Sequence, residues 1–257
     1  MKFLTQGKVK DLYELDEDKL VFKFSDRVSA FNNKIKTLIP GKGQVLAQFA
    51  DFWFNKLGIK SHYLEKRSED EIVVQKLKMI PMECIVRGYY FGSFIKRHQK
   101  GEASLPEGYP TEFASKFPAP IFDPTTKDEF DLPVTKAQAI EQGLVSEEEY
   151  EYLMQTSLDI YRKMAEISDR AGFILVDLKL EYGKLGDQIL LADSIGPDEY
   201  RMWPKHGDIK ESFDKQILRD WLKENEGQEL SPEIIDKLIT KYRESLKALN
   251  KFSFDLI

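Results

Sequence analysis

The sequence predicts an α+β fold, and three observations lead to that prediction. Short apolar runs bounded by turn residues, which are typical of β-strands, occupy most of residues 1–80. Helical spacing of apolar residues appears mainly in the second half of the chain. The chain has 257 residues with 42% hydrophobic and 32% charged content, which suits one large domain or two packed lobes. Strands and helices that are separated along a chain are typical of α+β architecture.

The bulk composition argues against several classes of protein. No apolar run approaches the roughly 20 residues that span a bilayer, so no membrane partner is predicted. The net charge of −6 argues against a nucleic-acid partner, because no basic excess is available for phosphates. The single cysteine, Cys84, leaves no intramolecular disulfide, and residues 1–8 lack the apolar core of a signal peptide. A reduced, cytoplasmic setting is therefore expected.

The first half of the chain predicts four strands and one helix. The strands are predicted over residues 3–13, 20–24, 71–77 and 83–87. The helix is predicted over residues 44–57, where apolar side chains recur at helical spacing. Pro81 interrupts the strand-like pattern, so residues 78–81 are interpreted as a hinge. This hinge divides the chain into lobes of residues 1–80 and 81–257.

The second half begins with a long irregular segment and then becomes helical. Residues 101–135 are rich in Pro, Gly, Thr and charged residues, which predicts a long surface loop. Ser146 and Glu149 have the spacing of a capping box and predict the start of a helix. Gly172 is expected to end that helix. Two further helices are predicted over residues 213–224 and 232–249.

A strictly alternating segment, residues 173–182, predicts one strand of an acidic hairpin. The alternation places Asp177, Lys179 and Glu181 on one face, with neighbours about 7 Å apart. A second strand follows a Gly-containing turn, and Asp193 joins the same face if the loop has an odd number of residues. Carboxylates without His or Cys are the ligands that Mg²⁺ prefers. The alternative is that the face is simply charged and exposed to solvent.

Two Gly/Lys segments are candidates for phosphate binding. Gly7-Lys8-Val9-Lys10 lies between two strand-like runs, where backbone amides and the two lysines could approach a phosphate. Gly41-Lys42-Gly43 precedes the first predicted helix, whose N-terminus would favour an anion. Neither segment is a Walker motif. The alternatives are solvated lysines on a strand and an ordinary loop before a helix.

Arg87 and Ser93 predict a further anion pocket. The guanidinium of Arg87 is a planar fork suited to carboxylate or phosphate, and Ser93 stands at a predicted helix start. The alternative is a structural ion pair between Arg87 and Glu83, which are four residues apart on one strand and share a face.

The remaining polar residues predict no further catalytic constellation. The segment Ser25–Asn32 has the pattern of a capped turn. His62, His98 and His206 lack partners at metal-ligand spacing and are interpreted as surface residues. No arrangement of Ser, His and Asp or of Cys and His for nucleophilic catalysis is predicted.

Two long segments of this chain resemble the signatures of the SAICAR synthetase family. They are Ile80-Pro-Met-Glu83-Cys-Ile-Val-Arg87-Gly-Tyr-Tyr-Phe-Gly92-Ser93 and Leu175-Val-Asp177-Leu-Lys179-Leu-Glu181-Tyr-Gly183. Five shorter segments resemble other family segments in the family's order: Gly7–Tyr13, Ser25–Phe31, Lys42–Gln44, Pro197–Trp203 and Phe213–Trp221. The resemblance covers essentially the whole chain, and the two long segments carry most of its specificity.

This resemblance implies both a fold and a reaction. The implied fold is SAICAR synthetase-like and ATP-grasp-like, with an N-terminal antiparallel-sheet lobe for nucleotide and a larger α+β C-terminal lobe for metal and ribonucleotide. Members of the family join carboxyaminoimidazole ribonucleotide (CAIR) to L-aspartate and convert ATP to ADP and phosphate. ATP and Mg²⁺ are the implied cofactors, and CAIR, L-aspartate and ATP are the implied partners. Assembly into a homo-oligomer is left open.

The resemblance also implies roles for individual residues. Nucleotide contacts are implied for Lys8, Lys10, Lys127 and the adenine-lining stretch Gln75, Leu77 and Met79. Ribonucleotide contacts are implied for Arg87, Ser93, Lys179 and Arg201, with Lys215 and Arg219 as further basic candidates. Metal ligation is implied for Glu181 and Asp193, and L-aspartate contacts for Ser25, Asp26 and Arg27. Asp177 would help to position the reacting groups, beside Lys179 and Arg87.

Three positions depart from the family's pattern. Phe91 stands where a small residue or Thr usually precedes Gly-Ser, so the ribonucleotide pocket is expected to differ in shape. Tyr182 replaces a usual Phe, which is a mild change. Ser194 follows Asp193 where Glu is usual, which removes one acidic group near the implied metal.

Two other functions remain as alternatives to the ligase. A kinase-like phosphotransferase would share the hinge and the Gly-Lys-x-Lys element, although no His-Arg-Asp or Asp-Phe-Gly motif is present. It would form a phosphorylated product without added aspartate. A non-catalytic nucleotide-binding regulator would bind ATP without aspartate-dependent release of ADP.

Overall fold

The structure is a computed structural model that describes residues 1–30, 33–35, 37–128, 130–225 and 229–252. Its strands are β1 (Lys2–Gln6), β2 (Lys10–Glu14), β3 (Lys19–Phe24), β4 (Val28–Ala30), β5 (Asn33–Ile35), β6 (Tyr63–Lys66), β7 (Glu71–Gln75), β8 (Lys78–Tyr89), β9 (Lys116–Phe122), β10 (Thr125–Thr126), β11 (Phe173–Leu185), β12 (Gln188–Ala192) and β13 (Tyr200–Pro204). Its helices are α1 (Lys42–Leu57), α2 (Ser93–Gln99), α3 (Lys136–Glu141), α4 (Glu147–Arg170), α5 (Gln216–Glu224) and α6 (Pro232–Phe252). Strands dominate the first half and helices the second, so the α+β prediction is confirmed.

The N-terminal part of the chain forms a five-stranded antiparallel sheet in the order β1-β2-β3-β7-β6. Helix α1 packs against β3, β6 and β7, and the buried ring of Phe54 in α1 stacks on the ring of Tyr63 in β6. Large apolar side chains at helical spacing give α1 one continuous buried face. Burial of this apolar area favours the packing of α1 against the sheet. This sheet and α1 therefore support the Gly/Lys segments that precede β2 and α1.

The second sheet is built around the long strand β11. Strand β11 pairs antiparallel with β8 along most of its length, with β12 near its end and with β13 near its start. Strands β9 and β10 pair with the other side of β8. Helix α4 covers the sheet, and one apolar cluster of buried residues runs from the first sheet through α1 to the second sheet, α4 and α6. This continuous core fixes β8 and β11, the two strands that carry both long family-like segments.

The interpretation of Pro81 as a strand interruption is wrong. Strand β8 runs unbroken from Lys78 to Tyr89, and Pro81 lies where its register against β11 shifts by a bulge. A bulge tolerates proline because the ladder lacks a regular hydrogen bond there. The change from the first sheet to the second falls instead at Lys76 and Leu77, between β7 and β8. The division into lobes of residues 1–80 and 81–257 stays a prediction.

The expectation of an irregular loop over residues 101–135 is partly wrong. Strand β9 lies within this range although its sequence contains Pro118 and Pro120. Among the described residues β9 pairs only with β8, so it is an edge strand, where a missing backbone donor costs little. The short strand β10 also falls inside the range. Helix α3, which follows the range directly, was not predicted.

The structure confirms both predicted ends of helix α4, the capping box at Ser146 and the glycine at position 172. The side chain of Ser146 accepts a hydrogen bond from the Glu149 backbone amide, and the Glu149 carboxylate accepts one from the Ser146 amide. Helix α4 ends at Arg170, and Gly172 has φ +88°, the left-handed conformation that glycine adopts readily at a helix C-terminus. No helix in the described part of the chain combines the length and apolar character that spanning a membrane requires.

Gly88 marks a close approach between β8 and α4. A Cβ atom at this position would overlap the hydroxyl of Tyr161 and lie 2.7 Å from its Cζ atom. That hydroxyl donates a 2.7 Å hydrogen bond to the backbone oxygen of Leu175 in β11. Gly88→Ala is therefore expected to lower the free energy of unfolding by about 2–3 kcal/mol, because the core must shift to admit the methyl group.

Urea unfolding monitored by circular dichroism measures this effect. Gly196→Ala is the matched control, since a Cβ atom there would meet its nearest neighbours at 3.4 Å, an ordinary contact. Equal stability of the Gly88→Ala variant and the wild type would contradict this account of the packing between β8 and α4.

Candidate active site

A cavity of about 350 Å³ opens beside β8, β11 and the start of β13. Six of the predicted site residues line this cavity, called the arginine-rich cavity below: Arg87, Ser93, Asp177, Lys179, Arg201 and Arg219. Five charged lining residues that the sequence analysis did not select are Glu83, Arg97, Asp131, Asp198 and Glu199. Basic side chains thus surround the cavity, with carboxylates placed among them.

Asp177 holds two of these basic side chains together. Its Oδ2 atom lies 2.5 Å from Arg201 Nη1 and 3.5 Å from Arg87 Nη1. Asp177 stands opposite Arg87 in the β8–β11 register and opposite Arg201 in the β11–β13 register, so strand pairing itself creates the contact. The buried carboxylate fixes both guanidinium groups while leaving other donors of each group for a ligand.

Arg87 makes a second ion pair, which the sequence analysis missed. Its Nε atom lies 2.5 Å from Asp123 Oδ2, and Arg97 also pairs with Asp123. The predicted alternative, a pair between Arg87 and Glu83, is absent from the described residues; Glu83 pairs with Lys179 instead. Asp123 follows β9, inside the range expected to be an irregular loop, which is why it was not selected.

Phe91, which differs from the residue usual in the family at this position, packs against Arg201 in the wall of the cavity. The Arg201 guanidinium carbon lies 5.7 Å from the centroid of the Phe91 ring, within the range of a cation–π contact. Gly92 has φ +68°, and a Cβ atom there would lie 3.2 Å from the guanidinium atoms of Arg201. The next residue, Ser93, begins α2, and its hydroxyl lies 3.5 Å from Arg87 Nη2. The aromatic ring and the glycine therefore hold Arg201 against the residues that precede α2.

A lysine–carboxylate cluster adjoins the cavity along β11. Lys179 Nζ lies 2.8 Å from Glu83 Oε1 and 2.7 Å from Glu181 Oε1. Glu181 also pairs with Lys127, whose pKa burial lowers below its usual value. Glu83 and Glu181 face each other in the β8–β11 register, so Lys179 separates two carboxylates that would otherwise repel.

Asp193 joins this cluster from beyond the end of β12. Its carboxylate pairs with Lys10, and Lys10 Nζ also lies 2.9 Å from the hydroxyl of Ser194. Burial alone would raise the pKa of Asp193, but Lys10, Lys179 and Lys127 lower it below its usual value. Asp193 has φ +61°, a conformation that few residues other than Gly, Asn and Asp adopt. Ser194 thus retains a contact with Lys10 although it carries no charge.

The expected acidic face is therefore divided between two places. Lys179 and Glu181 lie in the lysine–carboxylate cluster, whereas Asp177 contacts the arginines of the arginine-rich cavity. The described residues contain no group of three or more His, Cys, Asp and Glu side chains arranged to hold a metal ion alone. Glu181 and Asp193 nevertheless offer the hard carboxylate oxygens that suit Mg²⁺, which commonly takes one or two carboxylates and completes its shell with water and substrate phosphates.

The residues predicted to contact L-aspartate lie between the two Gly/Lys segments. Ser25 donates a 2.8 Å hydrogen bond from its hydroxyl to the Val9 backbone oxygen. The Asp26 carboxylate accepts hydrogen bonds from the backbone amides of Gly41 and Gly43 at 3.2 and 3.0 Å. Arg27 pairs with Asp11 at 2.5 Å and with the Gly7 backbone oxygen at 3.2 Å. These three side chains join the two segments, and their role as L-aspartate contacts stays a prediction. Phe31 and Asn32 lie outside the described residues.

Lys42 is fully buried at the start of α1. Its Nζ atom lies 2.8 Å from Asp198 Oδ2, and Tyr242 of α6 donates a 2.9 Å hydrogen bond to the other oxygen of that carboxylate. Lys215 lies 3.8 Å from the same carboxylate. Burial lowers the pKa of Lys215, and burial also lowers that of Arg219. This network connects the second Gly/Lys segment to Asp198 in the wall of the arginine-rich cavity.

The predicted adenine stretch spans the link between the two sheets. Gln75 ends β7, Leu77 lies in the link and Met79 is 40% exposed near the start of β8. Gly183 of β11 faces this link, since a Cβ atom there would lie 2.7 Å from Leu77 Cβ and 3.2 Å from Met79 Sδ. A half-exposed apolar surface beside the lysine–carboxylate cluster results, which suits a flat aromatic ligand.

The interpretation of the histidines as surface residues is wrong for His62. This side chain is 3% exposed and packs between the rings of Phe22 and Phe54. Its Nε2 atom lies 2.9 Å from the Asp193 backbone oxygen, and burial lowers its pKa to about 4. A neutral His62 therefore supports the strained backbone at Asp193. His98 is half-buried and lies 2.9 Å from Tyr90 Oη, whereas His206 is exposed as expected.

Comparison with known proteins agrees with the resemblance in the sequence. Residues 3–234 match the sequence model of the family described as SAICAR synthetase. The phosphoribosylaminoimidazole-succinocarboxamide synthase of Nitrosopumilus maritimus is 55% identical over 262 residues, covering 94% of this chain and 96% of that protein. SAICAR-synthase from Saccharomyces cerevisiae, solved in complex with SAICAR, has a TM-score of 0.84 at 30% identity and covers 97% of this chain and 94% of that chain. A SAICAR synthetase solved in complex with ADP has a TM-score of 0.78 at 30% identity, covering 96% and 97%.

The match extends over both sheets and over every strand that lines the cavity. The family model matches most of the chain, and one relative is 55% identical over 94% of it. The similarity is therefore one of sequence as well as of fold. This chain therefore belongs to the SAICAR synthetase family.

Proposed function

We propose that this chain is an ATP-dependent ligase that joins the carboxylate of CAIR to the amine of L-aspartate. The products are SAICAR, ADP and phosphate, and the reaction belongs to purine biosynthesis. The observation that carries the proposal is the side-by-side position of an arginine-rich cavity and a lysine–carboxylate cluster on β8 and β11. The arginine-rich cavity can receive an anionic ribonucleotide, and the lysine–carboxylate cluster can receive a triphosphate. Family membership supports that assignment.

The reaction requires an activated carboxylate, because oxide is a poor leaving group. We infer that a CAIR carboxylate oxygen attacks the γ-phosphorus of ATP, the bond from that phosphorus to ADP breaks, and an acyl phosphate forms. The neutral amine of L-aspartate then attacks the carbonyl carbon, the new C–N bond forms, the C–O bond to phosphate breaks, and the proton lost by the amine passes to the departing phosphate. The family's conversion of ATP to ADP and phosphate is consistent with this order of events.

The arginines of the cavity are proposed to bind and orient the ribonucleotide. Arg87 and Arg201 would hold its anionic groups, with the hydroxyl of Ser93 as a further donor. Asp177 would position both guanidinium groups, since it contacts each of them. Fixed donors of this kind reduce the entropy lost when substrates are aligned for reaction. Lys215 and Arg219 are proposed as further basic contributors.

The nucleotide is proposed to lie across the link between the two sheets. Lys8 and Lys10 would approach its phosphates from the first Gly/Lys segment, and Lys127 would approach from the C-terminal side. The stretch Gln75–Met79 would line the adenine. The positive charge of these lysines would stabilise the negative charge that develops on the transferring phosphoryl group.

Mg²⁺ is proposed as the metal, held by Glu181 and Asp193 together with phosphate oxygens. When bound, it would supply Lewis-acid stabilisation of the phosphoryl oxygens. The two carboxylates fit this ion by the hardness of their oxygens. Their present lysine partners, Lys127 and Lys10, would then be available to the phosphate groups.

An ADP-release assay with CAIR and a panel of amino acids tests the proposed function. Release that requires CAIR, Mg²⁺ and L-aspartate together, with SAICAR detected by mass spectrometry, is the expected result. A phosphorylated ribonucleotide that accumulates without aspartate would favour the kinase-like alternative. Tight ATP binding with no aspartate-dependent ADP release would favour a regulator.

A cytoplasmic location and assembly into a homo-oligomer stay predictions. Cell fractionation checks the first, and light scattering of the purified protein checks the second. Both measurements are independent of catalytic activity.

A further inference from the structure

Among the described residues that line the arginine-rich cavity, Glu199 differs from three acidic neighbours in having no ion-pair partner. Those three are neutralised by nearby cations: Glu83 by Lys179, Asp177 by Arg201 and Asp198 by Lys42. The carboxylate of Glu199 forms no ion pair and no hydrogen bond with any residue of the described ranges. A cavity-lining carboxylate without such a partner is costly in the absence of a ligand.

Glu199 is fixed beside β11 in buried surroundings that contain other carboxylates. Its backbone oxygen accepts a 2.8 Å hydrogen bond from the Lys179 amide, which fixes its position beside β11. Its side chain folds toward Gly196, where an added Cβ atom would lie 3.4 Å from Glu199 Oε2. Burial, with Asp198 and Asp193 nearby, raises the pKa of Glu199 to about 8 despite the opposing effects of Lys10 and Lys179. Burial is the largest of these effects, so the surroundings disfavour the charged form of Glu199.

The charges of the substrates indicate which cationic group could pair with Glu199. ATP, the ribonucleotide phosphate, the ribonucleotide carboxylate and both carboxylates of L-aspartate are anions. They match the basic side chains that line the cavity, such as Arg97 and Arg219. The α-ammonium group of L-aspartate is the cationic group of the three substrates, and it requires an acceptor that protein cations have not already neutralised.

We infer that Glu199 is the residue that receives the α-amino group of the amino-acid substrate, its carboxylate accepting hydrogen bonds from that group. The inference rests on the proposed function, because it assumes that L-aspartate enters this cavity. The backbone hydrogen bond from Lys179 to Glu199 keeps Glu199 next to β11, the strand that carries Asp177 and Lys179 of the cavity wall. Glu199 thereby acts in substrate binding and distinguishes L-aspartate from dicarboxylates that have no amino group.

The isosteric variant Glu199→Gln tests the inference, with ADP release measured at saturating CAIR and ATP while L-aspartate is varied. The KM for L-aspartate is expected to rise at least about tenfold, since a hydrogen bond to a charged group contributes about 1.5–3 kcal/mol. The KM values for CAIR and ATP are expected to change less than about twofold by the same reasoning, since neither substrate has a cationic group. Glu199→Asp, which keeps the charge, is expected to recover part of the affinity. Glu166→Gln, on the exposed surface of α4, is the matched control.

Succinate separates a direct contact from a structural effect, because it is L-aspartate without the amino group. Calorimetric binding is measured in the presence of CAIR and a non-hydrolysable ATP analogue. The Glu199→Gln variant should bind succinate as the wild type does and bind L-aspartate more weakly. Equal weakening for both ligands, or an unchanged affinity for L-aspartate, would overturn the inference. Wild-type enzyme that releases no ADP with L-aspartate would instead overturn the proposed function.

The thermal stability of the Glu199→Gln variant provides a third readout. Removing a carboxylate that has no cationic partner should leave the melting temperature unchanged or raise it. A large decrease would show that Glu199 has a structural role and would also contradict the inference.

Discussion

Replacing Glu181 with Gln is expected to lower kcat for ADP release by about 10²–10³-fold, the usual effect of removing one group that stabilises transition-state charge. The amide keeps the shape of the side chain but loses the charge that would bind Mg²⁺. The fold should persist, because Lys179 keeps its 2.8 Å contact with Glu83. Lys127 loses its partner, and burial lowers the pKa of its ammonium group below the usual value. Steady-state kinetics across a range of Mg²⁺ concentrations measures the loss.

A surface pair of the same chemistry provides the control for this variant. Glu147 lies 2.8 Å from Lys136 on the exposed side of α4, and Glu147→Gln should leave kcat unchanged. Asp193→Asn should behave like Glu181→Gln if both carboxylates hold the metal. Turnover like that of the wild type in both site variants, at every Mg²⁺ concentration, would contradict the metal assignment.

Replacing Arg201 with Ala is expected to raise the KM for CAIR by about 10²-fold, which corresponds to the roughly 3 kcal/mol assigned to a charge-assisted hydrogen bond to a ligand. Arg201 donates to Asp177 at 2.5 Å and packs against the Phe91 ring, so its remaining donors have a fixed direction. Arg201→Lys should recover little of the affinity, because a lysine lacks the planar fork. Initial rates at varied CAIR with saturating ATP and L-aspartate check this result.

The cost of this substitution to stability should be small. Asp177 keeps Arg87 as a cationic neighbour at 3.5 Å, so no carboxylate is left without a charge partner. Arg170→Ala, which removes an exposed arginine from α4, is the matched control and should leave the KM for CAIR unchanged. An unchanged KM in the Arg201→Ala variant would show that the ribonucleotide does not occupy this cavity.

Local patterns in the sequence predicted the central strand and much of the site. The alternation of residues 173–182 located β11, and it placed Lys179 and Glu181 together on the strand. The capping box at Ser146 and the glycine after α4 marked the two ends of that helix. These features depend on residues that are close together in the chain, so they can be predicted from the sequence without knowledge of the fold.

The features that were missed depend on contacts between distant segments. The register of β8 against β11 places Glu83 opposite Glu181, and no local pattern determines that register. Asp123 reaches Arg87 because the proline-containing strand β9 pairs with β8, although its composition is typical of a loop. His62 is buried because the loop before β6 bonds to β12, its amide lying 2.8 Å from the Leu191 backbone oxygen.

Isotope transfer from the ribonucleotide carboxylate tests the central claim most directly. CAIR labelled with ¹⁸O in its carboxylate is turned over with ATP and L-aspartate, and the released phosphate is analysed by mass spectrometry. Activation of that carboxylate by ATP predicts one ¹⁸O atom in each phosphate formed, because the carboxylate oxygen leaves bonded to phosphorus. Phosphate that carries no ¹⁸O while SAICAR accumulates would contradict the account.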